Sequence, residues 1–153
     1  MNAVASQSID LNAVRKDFNQ GHKNETLCEK HLHTLATYAK TSVEKGYHAA
    51  YHMFMAKHTG NPFKKMNYFK NGKNMLESQI KSDPNNIELR FIRLCIQYYI
   101  PDYLGYNKDV ETDKIFLKNN LYKLKDDTAK DIIYKYLKGA KMYSESELAL
   151  LGR

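Results

Sequence analysis

Asp83-Pro84-Asn85-Asn86-Ile87-Glu88-Leu89-Arg90-Phe91-Ile92-Arg93-Leu94-Cys95-Ile96-Gln97-Tyr98-Tyr99-Ile100-Pro101 is the stretch on which the fold turns. Asp83-Pro84 ends one helix. Asn86 is a natural N-cap for the next, because its short side-chain oxygen can accept an orphan backbone N–H. The run from Ile87 to Tyr99 is then mostly apolar, and Pro101 turns Ile100 away from helical backbone. Arg90, Arg93 and Gln97 are spaced i, i+3, i+7, so a helix gathers them into one narrow polar stripe. The sequence therefore predicts a buried helix with a single charged edge, and Cys95 reads as one of its small core residues.

The same punctuation continues on both sides. Upstream, Pro62 fits the first turn of a helix running to about Ser82, with Met66, Phe69, Leu76 and Ile80 on one side and Lys73 in the middle of that side. Before it, Thr59-Gly60-Asn61-Pro62 is a break in which Gly60 suits a left-handed cap. The segment Thr41–His58 reads as helix, apolar nearly all round from Ala49 to Ala56. Leu27, His31, Leu35 and Tyr38 form an earlier helical stripe. Downstream, Asp102–Asn107 is a loop containing Gly105. A helix follows from near Asp109 to about Leu124, with Glu111 and Asp113 complementing its dipole. Asp127-Thr128 opens another that ends at Gly139, and Ser144-Glu145-Ser146-Glu147 is a capping box for a short last helix. The expected fold class is all-α, an array of about six or seven helices forming right-handed hairpins, with no strand. Residues 1–10 read as a disordered N-terminal segment and 11–153 as a single helical domain.

Composition agrees. A chain of 153 residues is one domain's length, and it buries roughly 70% of its unfolded surface without help from metal or disulfide. Seven glycines and three prolines are too few for a turn-rich β fold. No apolar run reaches the roughly 20 residues that span a bilayer. The net charge of +7 invites a nucleic-acid reading, but only Arg15, Arg90, Arg93 and Arg153 are arginine. Base and phosphate readers favour the bidentate guanidinium, and a Lys, Asn, Ile and Tyr bias also follows from A+T-rich coding. Ala3-Val4-Ala5 before Ser6-Gln7-Ser8 is similar to the small-residue end of a secretory signal, without the charged and apolar regions that precede one. A chain starting downstream of a removed signal would be exported, periplasmic or extracellular; a native start at Met1 leaves the cytoplasm as the alternative.

Gly60, Gly72 and Pro84 lie twelve apart, and Phe63 and Leu76 fall between them. In these positions the stretch Tyr47–Asn86 resembles a tetratricopeptide-type helical hairpin, whose small, small and proline positions share that spacing. Pro62 departs from the pattern, as do Arg90, Arg93 and Gln97 in the unit that would follow. The runs Gly46-Tyr47-His48-Ala49-Ala50, Asn61-Pro62-Phe63, Tyr68-Phe69-Lys70-Asn71-Gly72-Lys73, Glu88-Leu89-Arg90-Phe91-Ile92-Arg93 and Tyr103-Leu104-Gly105-Tyr106 resemble those of small helical proteins of Bacteroidetes-type bacteria. That resemblance implies export and no particular activity.

Five groups of residues are candidates for chemistry. Arg90, Arg93 and Gln97 could clamp an anion or a partner's carboxylate, or could pair with Asp102, Asp109 or Asp113. Glu44, His48 and His52 share a helix face, but i and i+8 ligands lie about 12 Å apart, so only the two histidines could chelate together. Cys28 and His31 could share a face that His33 could not. Residues 45–76 carry no acid, six lysines and the aromatics Phe63, Tyr68 and Phe69, a composition that could bind nucleic acid weakly, but on helices Lys64, Lys70 and Lys73 point in different directions, as on a solvated face. Asn107, Asp109, Glu111 and Asp113 alternate like a calcium loop but lack its central Gly and closing Glu. No catalytic motif is present, so no enzyme, cofactor or metal is expected. The expected role is a small non-catalytic module binding a protein or peptide, with a small-anion carrier or sensor using Arg90 and Arg93 as the alternative.

Overall fold

A computed structural model describes residues 8–153. The Ala-Val-Ala resemblance and most of the 1–10 segment lie outside the described residues. Those residues fold into eight α-helices joined by short 3-10 turns, with no strand among them. They divide into two compact units, the first ending at Gln79 and the second beginning at Ile80.

In the first unit, α1 (Leu11–Lys16), α2 (Glu25–Tyr38) and α3 (Ser42–Phe54) precede α4 (Pro62–Ser82). α2 starts because the Asn24 side chain accepts the Leu27 N–H. α3 starts with a capping box: Thr41 accepts from the Glu44 N–H while the Glu44 carboxylate accepts from the Thr41 N–H. α2 and α3 pack together. Between them Leu35, Cys28, Tyr47 and Tyr51 lose all solvent exposure. The short α1 is tied in by the Tyr51 hydroxyl, which donates to the Val14 carbonyl at 2.7 Å. Phe18 then sits edge-on to Tyr47.

α4 has the expected bounds but a shifted face. Its buried line is Phe69, Gly72, Leu76 and Ile80, while Met66 is exposed. Gly72 takes the central place because it faces α3 directly, where a Cβ would overlap Met53 and stand 2.8 Å from the Ala49 carbonyl oxygen. Gly60 has open space around it and does not adopt the left-handed backbone expected of it. The break there is made by extended Thr59, and Asn61 accepts from the N–H groups of Phe63 and Lys64. Of the bulky positions in the hairpin resemblance, Leu76 is buried and Phe63 is 82% exposed.

In the second unit, α5 (Ile87–Tyr99) is the central helix, buried along Leu89, Phe91, Ile92, Leu94, Cys95 and Ile96. α6 (Val110–Asn120) packs on it antiparallel. α8 (Glu145–Leu151) packs on α6. α7 (Asp127–Gly139) buries Ala129, Ile133 and Leu137 and sets Tyr136 edge-on to Phe91. Its N-cap is Asp126, one residue before the expected Asp127. Gly105 closes the loop after α5 at φ +67°, where a side chain would be strained. Among the described residues no helix is long and apolar enough to cross a membrane.

Candidate functional site

The Arg90, Arg93, Gln97 stripe faces the start of α6. Asp113, with no exposed surface, accepts from Arg93 through both oxygens, Nε to Oδ2 at 2.8 Å and Nη2 to Oδ1 at 2.9 Å. Arg90 Nε donates to Oδ1 of the same carboxylate, its Nη1 donates to the Pro84 carbonyl, and its guanidinium lies 4.2 Å over the Phe116 ring. Gln97 and Asp109 bond reciprocally: the Gln97 amide donates to Asp109 Oδ2 at 3.0 Å and its carbonyl accepts the Asp109 N–H at 2.9 Å. Two guanidiniums and two carboxylates thus balance inside the α5–α6 contact, where an unpaired charge would be costly. An external anion would have to displace Asp113. Asp102 takes no part and accepts from Asn107 instead.

The histidine groups separate. Glu44 is held in the Thr41 cap, away from metal chemistry. His48 and His52 remain together, ring centroids 6.4 Å apart, with Tyr68 edge-on to His52 at 5.1 Å. Burial pushes both imidazoles below their usual range, and His52 lowers His48 further. The Nε2 of His52 is enclosed and has no hydrogen-bond partner among the described residues. Cys28 donates to the Tyr51 carbonyl, His31 pairs with Asp17 at 2.7 Å, and His33 is exposed. Among the described residues no three histidine, cysteine or acidic side chains gather as a metal site would require.

In the acid-free segment, Lys45, Lys57, Lys64, Lys65 and Lys70 are exposed. Of Phe63, Tyr68 and Phe69 only Phe63 is free for stacking: Phe69 is buried and Tyr68 is half-buried against His52.

Two features were not singled out by residue in the sequence. The first is a tyrosine platform in the second unit. Tyr98, Tyr99 and Tyr103 are 42%, 58% and 86% exposed and flank exposed Pro101 in the sequence. Tyr98 and Tyr99 meet edge to face at 5.2 Å, and none of the three hydroxyls finds a partner among the described residues. Twelve tyrosines foretell sticky surface somewhere, but only the proline stop after Tyr99 could have placed it. The second is an open cleft of about 470 Å³ in the first unit, between α2, the start of α3 and the later turns of α4.

Comparison with protein-family models, curated proteins and solved structures finds no match.

Proposed function

We propose that this chain is a small non-catalytic module that binds a partner protein or peptide, with the tyrosine platform of the second unit as its contact surface. The observation that carries this reading is the exposure of Tyr98, Tyr99 and Tyr103 in one short stretch. Large aromatic side chains ordinarily leave water on folding, and clusters that stay out mark contact surfaces. Tyrosine suits such a surface because it offers apolar area and a hydroxyl while losing few rotamers. The backbone is hydrogen-bonded on both sides of Pro101: the Ile100 N–H bonds the Ile96 carbonyl, and the Leu104 N–H bonds the Pro101 carbonyl.

The test is photo-crosslinking in cells with p-benzoylphenylalanine at position 103, compared with the same residue at exposed position 145. A defined protein adduct at 103, absent at 145 and lost with Tyr99→Ala, supports the reading. Equal or no adducts at the two positions sink it.

A further inference from the structure

We propose that the cleft in the first unit binds a small carboxylate with an apolar tail, its headgroup at Lys45 and its tail along α2 and α4. Apolar Ala36, Ala39 and Met75 line the cleft together with polar Lys45, His48 and Asn74. Small apolar side chains leave room for a tail, and the neighbouring cation and amide suit a headgroup. The charge has one sign. No acid lines the cleft, and none occurs between residues 45 and 76. Lys45 has no ion pair or side-chain hydrogen bond among the described residues, so its ammonium is free for an incoming anion. His48, beside it in the cleft, has His52 as its charged neighbour; the residues of α2 and α4 that line the cleft are uncharged. A cationic or zwitterionic ligand would find no counter-charge there.

The volume sets the ligand class. A cleft of about 470 Å³ lies toward the small end of ligand sites, which suits a single small acid better than a folded partner. This reading is independent of the tyrosine platform and uses none of its residues.

The experiment titrates the full chain with octanoate and, separately, with uncharged octanamide, following backbone amide signals and the Met75 methyl by NMR. Octanoate is expected to shift Lys45, His48 and Met75 together and to saturate at a Kd of roughly 0.1–1 mM, with octanamide at least about tenfold weaker. Lys45→Gln, at an exposed position where folding is unaffected, should reduce octanoate to the octanamide level. Equal affinity for acid and amide, shifts confined to other residues, or no shift with octanoate would each overturn the proposal. N-acetyl-leucine is the third probe. Tighter binding of it than of octanoate would overturn the fatty-acid-like ligand in favour of a polypeptide C-terminus.

Discussion

Arg93 and Asp113 face each other through two parallel hydrogen bonds inside the second unit, the carboxylate fully enclosed and the guanidinium nearly so. Such a pair adds little net stability over a well-packed apolar pair, but breaking it from one side leaves an uncompensated buried charge. Arg93→Gln should therefore destabilise the protein by about 3–5 kcal/mol in chemical denaturation followed by circular dichroism. Arg90→Gln should cost less, because Arg93 still holds both oxygens of Asp113. A triple change of Arg90→Met, Arg93→Met and Asp113→Leu, which removes all three charges together, should recover most of the loss. If Arg93→Gln is neutral, the pairing is not what joins α5 to α6.

Gly72 carries the helix crossing of the first unit. Alanine is the better helix former by about 1 kcal/mol, so propensity alone predicts that Gly72→Ala stabilises α4. The added methyl would meet Met53 and the Ala49 carbonyl oxygen, and a backbone oxygen cannot rotate away. The expected outcome is a net destabilisation of about 1–3 kcal/mol, read as a lower Tm. Gly60→Ala, with open space and no positive φ, should leave Tm unchanged or raise it slightly.

That contrast shows where sequence reading stopped. The bounds of α4 and α5 were legible because Pro62, Asn86 and Pro101 act on their immediate neighbours. The face of α4 was not, because a glycine carries no hydrophobicity for a periodicity to register. Periodicity puts Met66 on a buried face whose centre is in fact Gly72, and only Met53 of another helix reveals the reason. α1 shows no periodic pattern, because six residues are too few for one. Its anchor, Tyr51, lies 37 positions away. The charged stripe of α5 was legible together with the acids opposite it, since both sit at helical spacing. The cleft was not, because its lining comes from three helices and includes inconspicuous alanines.

Both thiols should be inert in the folded protein. Burial pushes the Cys28 thiol up to about 12 and Cys95 well above its ordinary value, so neither supplies thiolate at pH 8. Cys28 also donates its proton to the Tyr51 carbonyl. Ellman's reagent should release less than one equivalent over an hour from native protein, and two at once in denaturant. Fast release of one equivalent from native protein would mean that one of the helices around a cysteine opens readily.

Acid should destabilise the first unit through its histidines. Burial holds His48 and His52 below 6.5 in the fold, and burial with nearby Lys23 does the same to His22. An imidazole with a lowered folded-state pKa binds fewer protons folded than unfolded. Its neutral form contributes full stability above pH 6.5, and this is lost as pH falls from there toward the lowered value. Below the lowered value both states are protonated and the loss levels off. The His48–His52 pair should dominate, because the two charges would face each other and the acid on their helix face, Glu44, is engaged in the Thr41 cap. Tm measured at steps from pH 8 to pH 5 should stay flat to about 6.5 and then decline. His52→Gln together with His48→Gln should flatten most of that decline. If the double variant declines as steeply as the parent, the acid-sensitive group lies elsewhere, and His22 is the next to substitute.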